Sequence, residues 1–465
     1  MRSILMKNVE YFSNKTVLVL GLAVSGYNAA LMLNQLGAEV IVNDFKDLSE
    51  SEEAKDLKKK GVEVISGGHP LEILDKPLDF IVKNPGIPYT NPLVKQAVNK
   101  SIKIITEIEL AYAIAESPIV AITGTNGKTT TTMMIEALLN ENRREGKAYS
   151  VGNIGTPASL IAQTSRVVDD LIMEVSSFQL MGIDTFHPKI AVITNVYSAH
   201  LDYHKTRDEY VNAKLAITKN QSQTDYLIFN QDQDELSSLV RSTTEAALVP
   251  FSRKKELKTG IYVKNGMIMY SGEEVMPTDN VLIPGEHNLE NALAAIAVAK
   301  LKGVDNKDIN KAFQRFKGVE HRMQLVDTAV DRRFYNDSKA TNSLATIHAL
   351  EGFSDPVVLI AGGLDRDESL DDLVPLLKKH VKAIVTFGET KHKLAEVARK
   401  ADITTVDIKD TVAEATMAAY NHSETGDVIL LSPACASWDQ YANFEERGDD
   451  FIQTVEAIDR SVKGG

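Results

Sequence analysis

The chain has one cysteine, Cys435, in 465 residues. No internal disulfide can form, and a reducing compartment is expected. Basic side chains are in deficit: 51 Lys and Arg stand against 64 Asp and Glu, a formal net charge of -13. A nucleic-acid surface needs clustered cations to neutralise phosphates, so the balance argues against nucleic-acid binding. Long apolar runs are also missing. The longest, Ala292–Ala299, falls far short of the roughly 20 residues that cross a bilayer. Residues Met1–Glu10 lack the apolar stretch of a signal peptide. No membrane insertion and a cytoplasmic location are expected. No short repeat or low-complexity tract appears. An anionic ligand would therefore have to be held locally, by helix N-termini, glycine loops, a few basic side chains and metal ions.

What is present is the balance of a soluble globular protein, 43% hydrophobic and 25% charged. The length predicts about three domains. Thr16–Leu20 is a β-branched run ending in Gly21, followed by an amphipathic stretch from about Asn28 to Leu36 and a second run, Glu39–Asp44. This is strand, glycine turn, helix, strand, with an acid closing the second strand. Val62–Ile65 and Asp79–Lys83 continue the alternation until Asn84-Pro-Gly-Ile-Pro88 breaks it. A second α/β pattern starts near Pro118, with strands expected at Ile119–Thr123, Asp170–Val175, Ile190–Asn195 and Tyr226–Asn230. A small β excursion is expected between Phe251 and Ile283, and a helix over Leu289–Leu301. A third begins near Glu320, with strands at Val357–Ala361, Ala383–Phe387, Ile403–Val406 and Val428–Leu431 between helical runs. Three α/β units imply three mainly parallel sheets covered by helices.

The most informative segment is Ala121-Ile-Thr-Gly-Thr-Asn-Gly-Lys-Thr-Thr-Thr-Thr132, between a strand and a helix over Thr129–Asn140. Glycines let several backbone N–H groups converge on one phosphate. The helix N-terminus adds its dipole, Lys128 a positive charge, and the Thr129 hydroxyl a ligand for Mg²⁺. Ile122 stands where the full P-loop pattern has its first glycine, and a glycine turn with a surface lysine is the bland alternative.

Gly124-Thr125-Asn126-Gly127-Lys128-Thr129-Thr130 resembles the ATP-binding signature of the Mur ligase family and its folylpolyglutamate synthetase relatives. The resemblance implies an α/β chain of three domains: a Rossmann-like UDP-substrate domain (1–106), a central P-loop-type ATPase domain with a mostly parallel sheet (107–318) and a C-terminal Rossmann-like domain (319–465). Hinges would fall near Thr106 and Gly318. Leu171-Ile-Met-Glu174-Val-Ser-Ser-Phe-Gln179 is similar to the stretch that implies Glu174 as a metal ligand. Asn195-Val-Tyr-Ser-Ala-His200-Leu-Asp-Tyr-His204 implies His200 at a second metal, and Tyr210-Val-Asn-Ala-Lys214 implies Lys214 as a carbamylated lysine. ATP with two Mg²⁺ ions is the implied cofactor set, with Lys128, Glu174, His200 and Lys214 as the catalytic group and Thr129, Glu174, His200 and Lys214 around the metals.

The same resemblance assigns both ends of the substrates. Gly21-Leu-Ala-Val-Ser25-Gly26 with Asp44 and Lys46 would hold uridine diphosphate. Asn84 and Gly86 would lie on the nucleotide-sugar side, and Asn153, in Gly152-Asn-Ile-Gly155, would bind the muramoyl-alanine portion. Phe45-Lys46 departs from the family's usual Thr-Arg, leaving individual uracil contacts open. Gly285-Glu-His-Asn288-Leu-Glu-Asn291 and His321-Arg322 would hold the adenosine end of ATP. Asp337 and Lys339 would reach the ribose and acyl-phosphate region. The acceptor amino acid must keep its amine free while two carboxylates are bound. Arg366 offers a planar fork for one of them, and Ser437 with the backbone near Phe444 is implied for the other. Ser432–Ser437 and Asn443–Gly448 resemble the D-glutamate-adding branch. The implied partners are thus UDP-N-acetylmuramoyl-L-alanine and D-glutamate, acted on by a monomer.

Other readings stay open at this stage. The L-alanine-adding relatives carry His where Asn126 stands, the diamino-acid-adding ones carry a D-N-P-R string that is missing here, and folylpolyglutamate synthetases lack the first domain. From other classes, residues 1–45 alone suit a dinucleotide oxidoreductase, and a non-catalytic ATP-gated interaction protein is a third option. The first leaves Lys128, Glu174 and the third domain without a role. Phosphate release that depends on D-glutamate separates the ligase from both.

Overall fold

Each of the three alternations closes into its own sheet in the computed structural model, which describes residues 7–197, 201–329 and 331–463. β1 (Thr16–Leu20), β2 (Glu39–Asp44), β3 (Glu63–Ser66), β4 (Phe80–Lys83) and β5 (Lys103–Ile105) pair in parallel, in the order β3-β2-β1-β4-β5. Val17–Leu20 and Phe80–Lys83 are buried throughout, as strands covered on both faces must be. The helix after β1 spans Val24–Gln35 and so begins inside the glycine loop, earlier than periodicity suggests. In its first turn Val24 is exposed and the buried residue is Gly26, which has no side chain, so the turn carries no apolar repeat to read.

The second sheet comprises β6 (Ile119–Thr123), β7 (Ala148–Gly152), β8 (Asp170–Glu174), β9 (Ile190–Ile193), β10 (Tyr226–Asn230), β11 (Ala247–Ser252), β12 (Ile261–Lys264), β13 (Met267–Tyr270) and β14 (Glu273–Pro277). Their order is β14-β13-β12-β11-β10-β9-β6-β8-β7. The β12–β13 pair is antiparallel, the β excursion expected from the short alternating runs. β6 has β8 on one side and β9 on the other, both parallel to it. The crevice outside the carboxyl end of such a strand is where open α/β sheets bind ligands.

The first two sheets belong to one compact unit, Met1–Met276 with Glu290–Ala312. A helix at Glu107–Ile114, which the sequence reading passed over, joins them. Thr106 donates from its hydroxyl to Gln179 O (2.7 Å) and from its amide to Gly182 O (2.9 Å). Buried Glu109 accepts from the backbone amides of Asp184, Thr185 and Phe186 at 2.7–3.0 Å. These satisfied buried groups fix the connector to the central sheet.

The second unit, Pro277–Leu289 with Phe313–Gly465, holds the third sheet: β15 (Gln324–Ala329), β16 (Arg332–Asn336), β17 (Val357–Gly362), β18 (Val381–Phe387), β19 (Thr405–Ile408) and β20 (Val428–Leu431), in the order β15-β16-β20-β17-β18-β19. Only the β15–β16 pair is antiparallel. A helix over Phe444–Lys463 packs on β15 and β16. Among the described residues no helix is long and apolar enough to cross a membrane.

Candidate active site

The loop after β6 is shaped by glycine and by the end of β9. Gly124 has φ +152°, and a Cβ there would sit 1.9 Å from Thr194 Oγ1. Gly127 has φ +81°, and its Cβ would meet Asn291 Oδ1 at 2.1 Å. Neither position admits a side chain. Thr125 N donates to Asn195 O (3.0 Å), Asn126 N to Asn195 Oδ1 (2.9 Å), and Thr194 Oγ1 to Asn126 O (2.7 Å). Gly127 caps the helix Lys128–Asn140 without a side-chain acceptor. Its first amides, at Lys128, Thr129 and Thr130, therefore face the loop as an anion cradle. Asn291 is placed beside this cradle, accepting from Thr131 Oγ1 at 3.3 Å.

Glu174 ends β8, paired in register with Ile122 of β6, two residues before the loop opens. Its side chain is 2% exposed. Oε1 accepts from Asn153 Nδ2 at 2.8 Å, while buried Oε2 has no hydrogen-bond partner among the described residues. An orphaned carboxylate oxygen next to a phosphate cradle fits a hard divalent cation such as Mg²⁺. Asn153, expected at the substrate, is thus also the residue that orients Glu174.

Lys214 lies on the helix Arg207–Leu215 and is 2% exposed. Its amine donates to Gly124 O at 2.7 Å and sits 4.6 Å from the ring of Tyr210. Among the described residues no carboxylate forms an ion pair with it. Burial, and secondly the nearby Lys128 charge, lower its pKa to about 7. Lys128 donates to Gly124 O (3.0 Å) and Thr125 O (2.9 Å). Tyr210 donates to Thr125 Oγ1 at 3.0 Å. Sequence reasoning missed this tyrosine, although its place four residues before Lys214 puts both on one helix face. His200 lies outside the described residues. His204, after it, is buried, 2.9 Å from Ser177 Oγ through Nε2 and stacked on Phe178.

In the first sheet, Asp44 accepts from the amides of Leu22 (2.7 Å) and Lys46 (2.9 Å), so it shapes the Gly21 loop from beneath. Ser25 stands in the first helical turn. Gly26 is buried, and a Cβ there would meet Gly21 O at 2.0 Å, so its lack of a side chain serves helix–strand contact. Asn84 Oδ1 accepts from Gly86 N at 3.0 Å. Lys83, which no motif singled out, is 1% exposed at the end of β4.

In the second unit, the turn at His321-Arg322 and the loop Asn336–Asn342 are bound together. Lys339 N donates to His321 O (3.1 Å), and Met323 N to Asp337 Oδ1 (3.2 Å). Asp337 also accepts from Ser432 Oγ at 3.0 Å, and burial raises its pKa to about 7. Asn288 donates to Pro284 O at 2.7 Å. The Lys339 amine lies 5.1 Å from the Phe444 ring. Arg366 is exposed and stacks 5.2 Å over the Trp438 ring, beside a cleft lined by Thr341, Leu364, Thr390 and Cys435. Ser437 is buried nearby in sequence. Sequence reasoning missed Arg447, fully buried, which donates to Ser338 Oγ (3.0 Å), Ser338 O (2.8 Å) and Cys435 O (3.0 Å) and so ties both loops to the last helix.

The family profile of the Mur ligase MurD-like N-terminal domain matches residues 15–106, that of the Mur ligase middle domain residues 122–299, and that of the Mur ligase glutamate ligase domain residues 321–435. The UDP-N-acetylmuramoylalanine--D-glutamate ligase of Enterococcus faecalis is 56% identical, over 98% of this chain and 100% of its own. The protein of that name from Listeria monocytogenes serotype 4b is 52% identical over 98% and 100%. Among solved structures, a MurF from Acinetobacter baumannii has a TM-score of 0.56 at 16% identity, covering 96% of this chain and 93% of its own. The MurF ligase of Thermotoga maritima in complex with ADP has a TM-score of 0.54 at 16% identity, covering 98% and 100%. At that identity the likeness concerns the fold alone.

Proposed function

Since the chain belongs to the Mur ligase family, we propose that it joins D-glutamate to UDP-N-acetylmuramoyl-L-alanine in an ATP-driven step of peptidoglycan precursor synthesis. The observation that carries the reading is identity of 52–56% over nearly the whole chain with ligases of that name. The central loop supplies the chemistry they require.

A carboxylate is a poor electrophile because its leaving group would be oxide. In this reading, an oxygen of the L-alanyl carboxylate attacks the γ-phosphorus of ATP, and the bond to ADP breaks. The amine of D-glutamate then attacks the acyl carbon, loses a proton, and expels phosphate to leave the amide. Lys128 and the amides of Thr129 and Thr130 stabilise negative charge gathering on the transferred group. Glu174 and Thr129 are the groups that would hold Mg²⁺, which supplies charge neutralisation at the phosphates. A second ion would need His200 and an anionic Lys214. A lysine amine poised near pH 7, with no acid partner among the described residues, is suited to take up CO₂, and the carbamate formed would be such an anion.

We assign the uridine end to Ser25, Gly26, Asp44, Lys46, Asn84 and Gly86, and the muramoyl-alanine end to Asn153. Adenosine falls to Asn288, Asn291, Arg322, Asp337 and Lys339, and D-glutamate to Arg366, Ser437 and Phe444. We set the domain boundaries at 106 and 318, in the segments that run from β5 to β6 and from β14 to β15. The test is phosphate release with UDP-N-acetylmuramoyl-L-alanine, ATP and a panel of amino acids. Release with D-glutamate, and not with L-alanine or a diamino acid, is expected. Equal release with every member, or none, would overturn the assignment.

A further inference from the structure

Lys83 closes β4 with its side chain turned into the protein rather than to water, 1% exposed. Among the described residues no carboxylate pairs with it. Its amine instead donates to three carbonyls of the loop that follows: Asn84 O (3.1 Å), Pro85 O (3.4 Å) and Ile87 O (2.7 Å). The Tyr89 ring lies 5.0 Å away. Burying an ammonium without a counter-ion is unfavourable, and a hydrophobic replacement at such a place is often neutral or stabilising. Stability alone therefore does not explain a lysine here.

The same loop is held from the other side. Tyr203, in the short helix Leu201–His204, donates to Pro85 O (3.3 Å) and Ile87 O (3.2 Å). These are two of the carbonyls that Lys83 reaches. The turn closes itself without either side chain, through Gly86 N to Asn84 Oδ1 (3.0 Å) and Ile87 N to Asn84 O (3.0 Å). What the two side chains add is orientation. They draw the loop carbonyls inward, away from the outer face where Gly86 is exposed. Asn84 packs on the Gly21 loop so closely that a Cβ on Gly21 would meet Asn84 Cβ at 2.9 Å.

We propose that Lys83 and Tyr203 are positioning residues for the uridine-linked substrate, acting through the backbone of Asn84–Pro88. They set its presentation against the Gly21 loop and tie it to the short helix Leu201–His204. The proposal rests on the reading that Asn84 and Gly86 face that substrate.

Lys83→Met tests it in the full-length enzyme, with steady-state kinetics and thermal unfolding measured together. The expected result is a KM for UDP-N-acetylmuramoyl-L-alanine raised about tenfold, with KM for ATP and D-glutamate within about twofold and an unfolding midpoint not lowered by more than a few degrees. Tyr203→Phe should raise the same KM less. The double variant should fall short of the product of the single effects, because both act on the same carbonyls. An unchanged KM, or a fall in every parameter together with the midpoint, would overturn the proposal. Should Lys83→Met not fold, the selective KM effect of Tyr203→Phe decides alone, its presence supporting and its absence overturning. Asn84→Ala is the control for the underlying reading. If it raises that KM while Lys83→Met does not, the positioning idea fails by itself; if neither does, the loop is not at the substrate.

Discussion

Lys128 and Lys214, 86 positions apart in the chain, donate to one acceptor, the carbonyl oxygen of Gly124, at 3.0 and 2.7 Å. Two amines on one carbonyl cannot both be comfortably charged. The buried one yields, so that burial and the Lys128 charge bring Lys214 to about 7. The carbonyl of Gly124 is therefore shared by one amine held on the loop, Lys128, and one whose charge burial disfavours, Lys214.

From this, Lys214 should be neutral in growing proportion as pH rises through 7, and CO₂ adds only to the neutral amine. The protein equilibrated with ¹³C-bicarbonate at pH 8 should show a carbamate resonance that fades below pH 7 and is missing from Lys214→Ala. That variant should lose activity about a hundredfold or more and regain part of it with added short-chain carboxylates. Full activity in Lys214→Ala would discard the carbamate.

Glu174→Gln keeps an oxygen for Asn153 but loses the negative charge and the second carboxylate oxygen, the one buried without a partner among the described residues. The Mg²⁺ concentration for half-maximal activity should rise about tenfold or more, with folding preserved. A magnesium titration of phosphate release checks this, and an unchanged midpoint would remove Glu174 from the metal.

The motif residues were legible in the sequence because backbone geometry dictates them: glycines 124 and 127 occupy positive φ with no room for a Cβ, and the cradle needs a strand before and a helix after. The buried strands were legible too, since β1, β2, β6, β10 and β20 begin and end where their β-branched runs do. What escaped depends on contacts distant in sequence. β16 opens with Arg332-Arg333, half-buried, so no apolar alternation marks it. Glu107–Ile114 carries two buried acids whose partners lie in other segments. Lys83 and Arg447 look like surface charges in a string of letters and prove fully enclosed. A buried cation whose acceptors are carbonyls leaves no compositional trace, because every residue supplies a carbonyl.

Arg366 is exposed, with its guanidinium held over Trp438 and, among the described residues, no carboxylate paired with it. A fork pre-oriented by stacking keeps its N–H edge free for an incoming carboxylate. Arg366→Ala should raise KM for D-glutamate about tenfold while leaving KM for ATP within about twofold. Equal effects on both would remove Arg366 from the acceptor site.

Asp337 offers the clearest pH signature in the second unit. Burial raises its pKa from 3.8 to about 7, against the opposing pull of Ser432, the Met323 amide and the Arg322 charge. The folded state thus favours the protonated acid, whereas the unfolded chain ionises near 3.8. Below that value the folded form bears no penalty from this group. As pH rises from about 4 to 7 the unfolded state gains by ionising and the folded state does not, so stability is progressively lost, and above about 7 the loss levels off. Asp337→Asn has no proton to lose and can still bond Ser432 Oγ. Its unfolding midpoint, measured relative to the native sequence at each pH without nucleotide, should climb between pH 4 and 7 and then stay flat. A difference independent of pH would mean that Asp337 ionises normally in the fold. ATP affinity of the same variant, measured at pH 7, reports separately whether the side chain reaches the nucleotide.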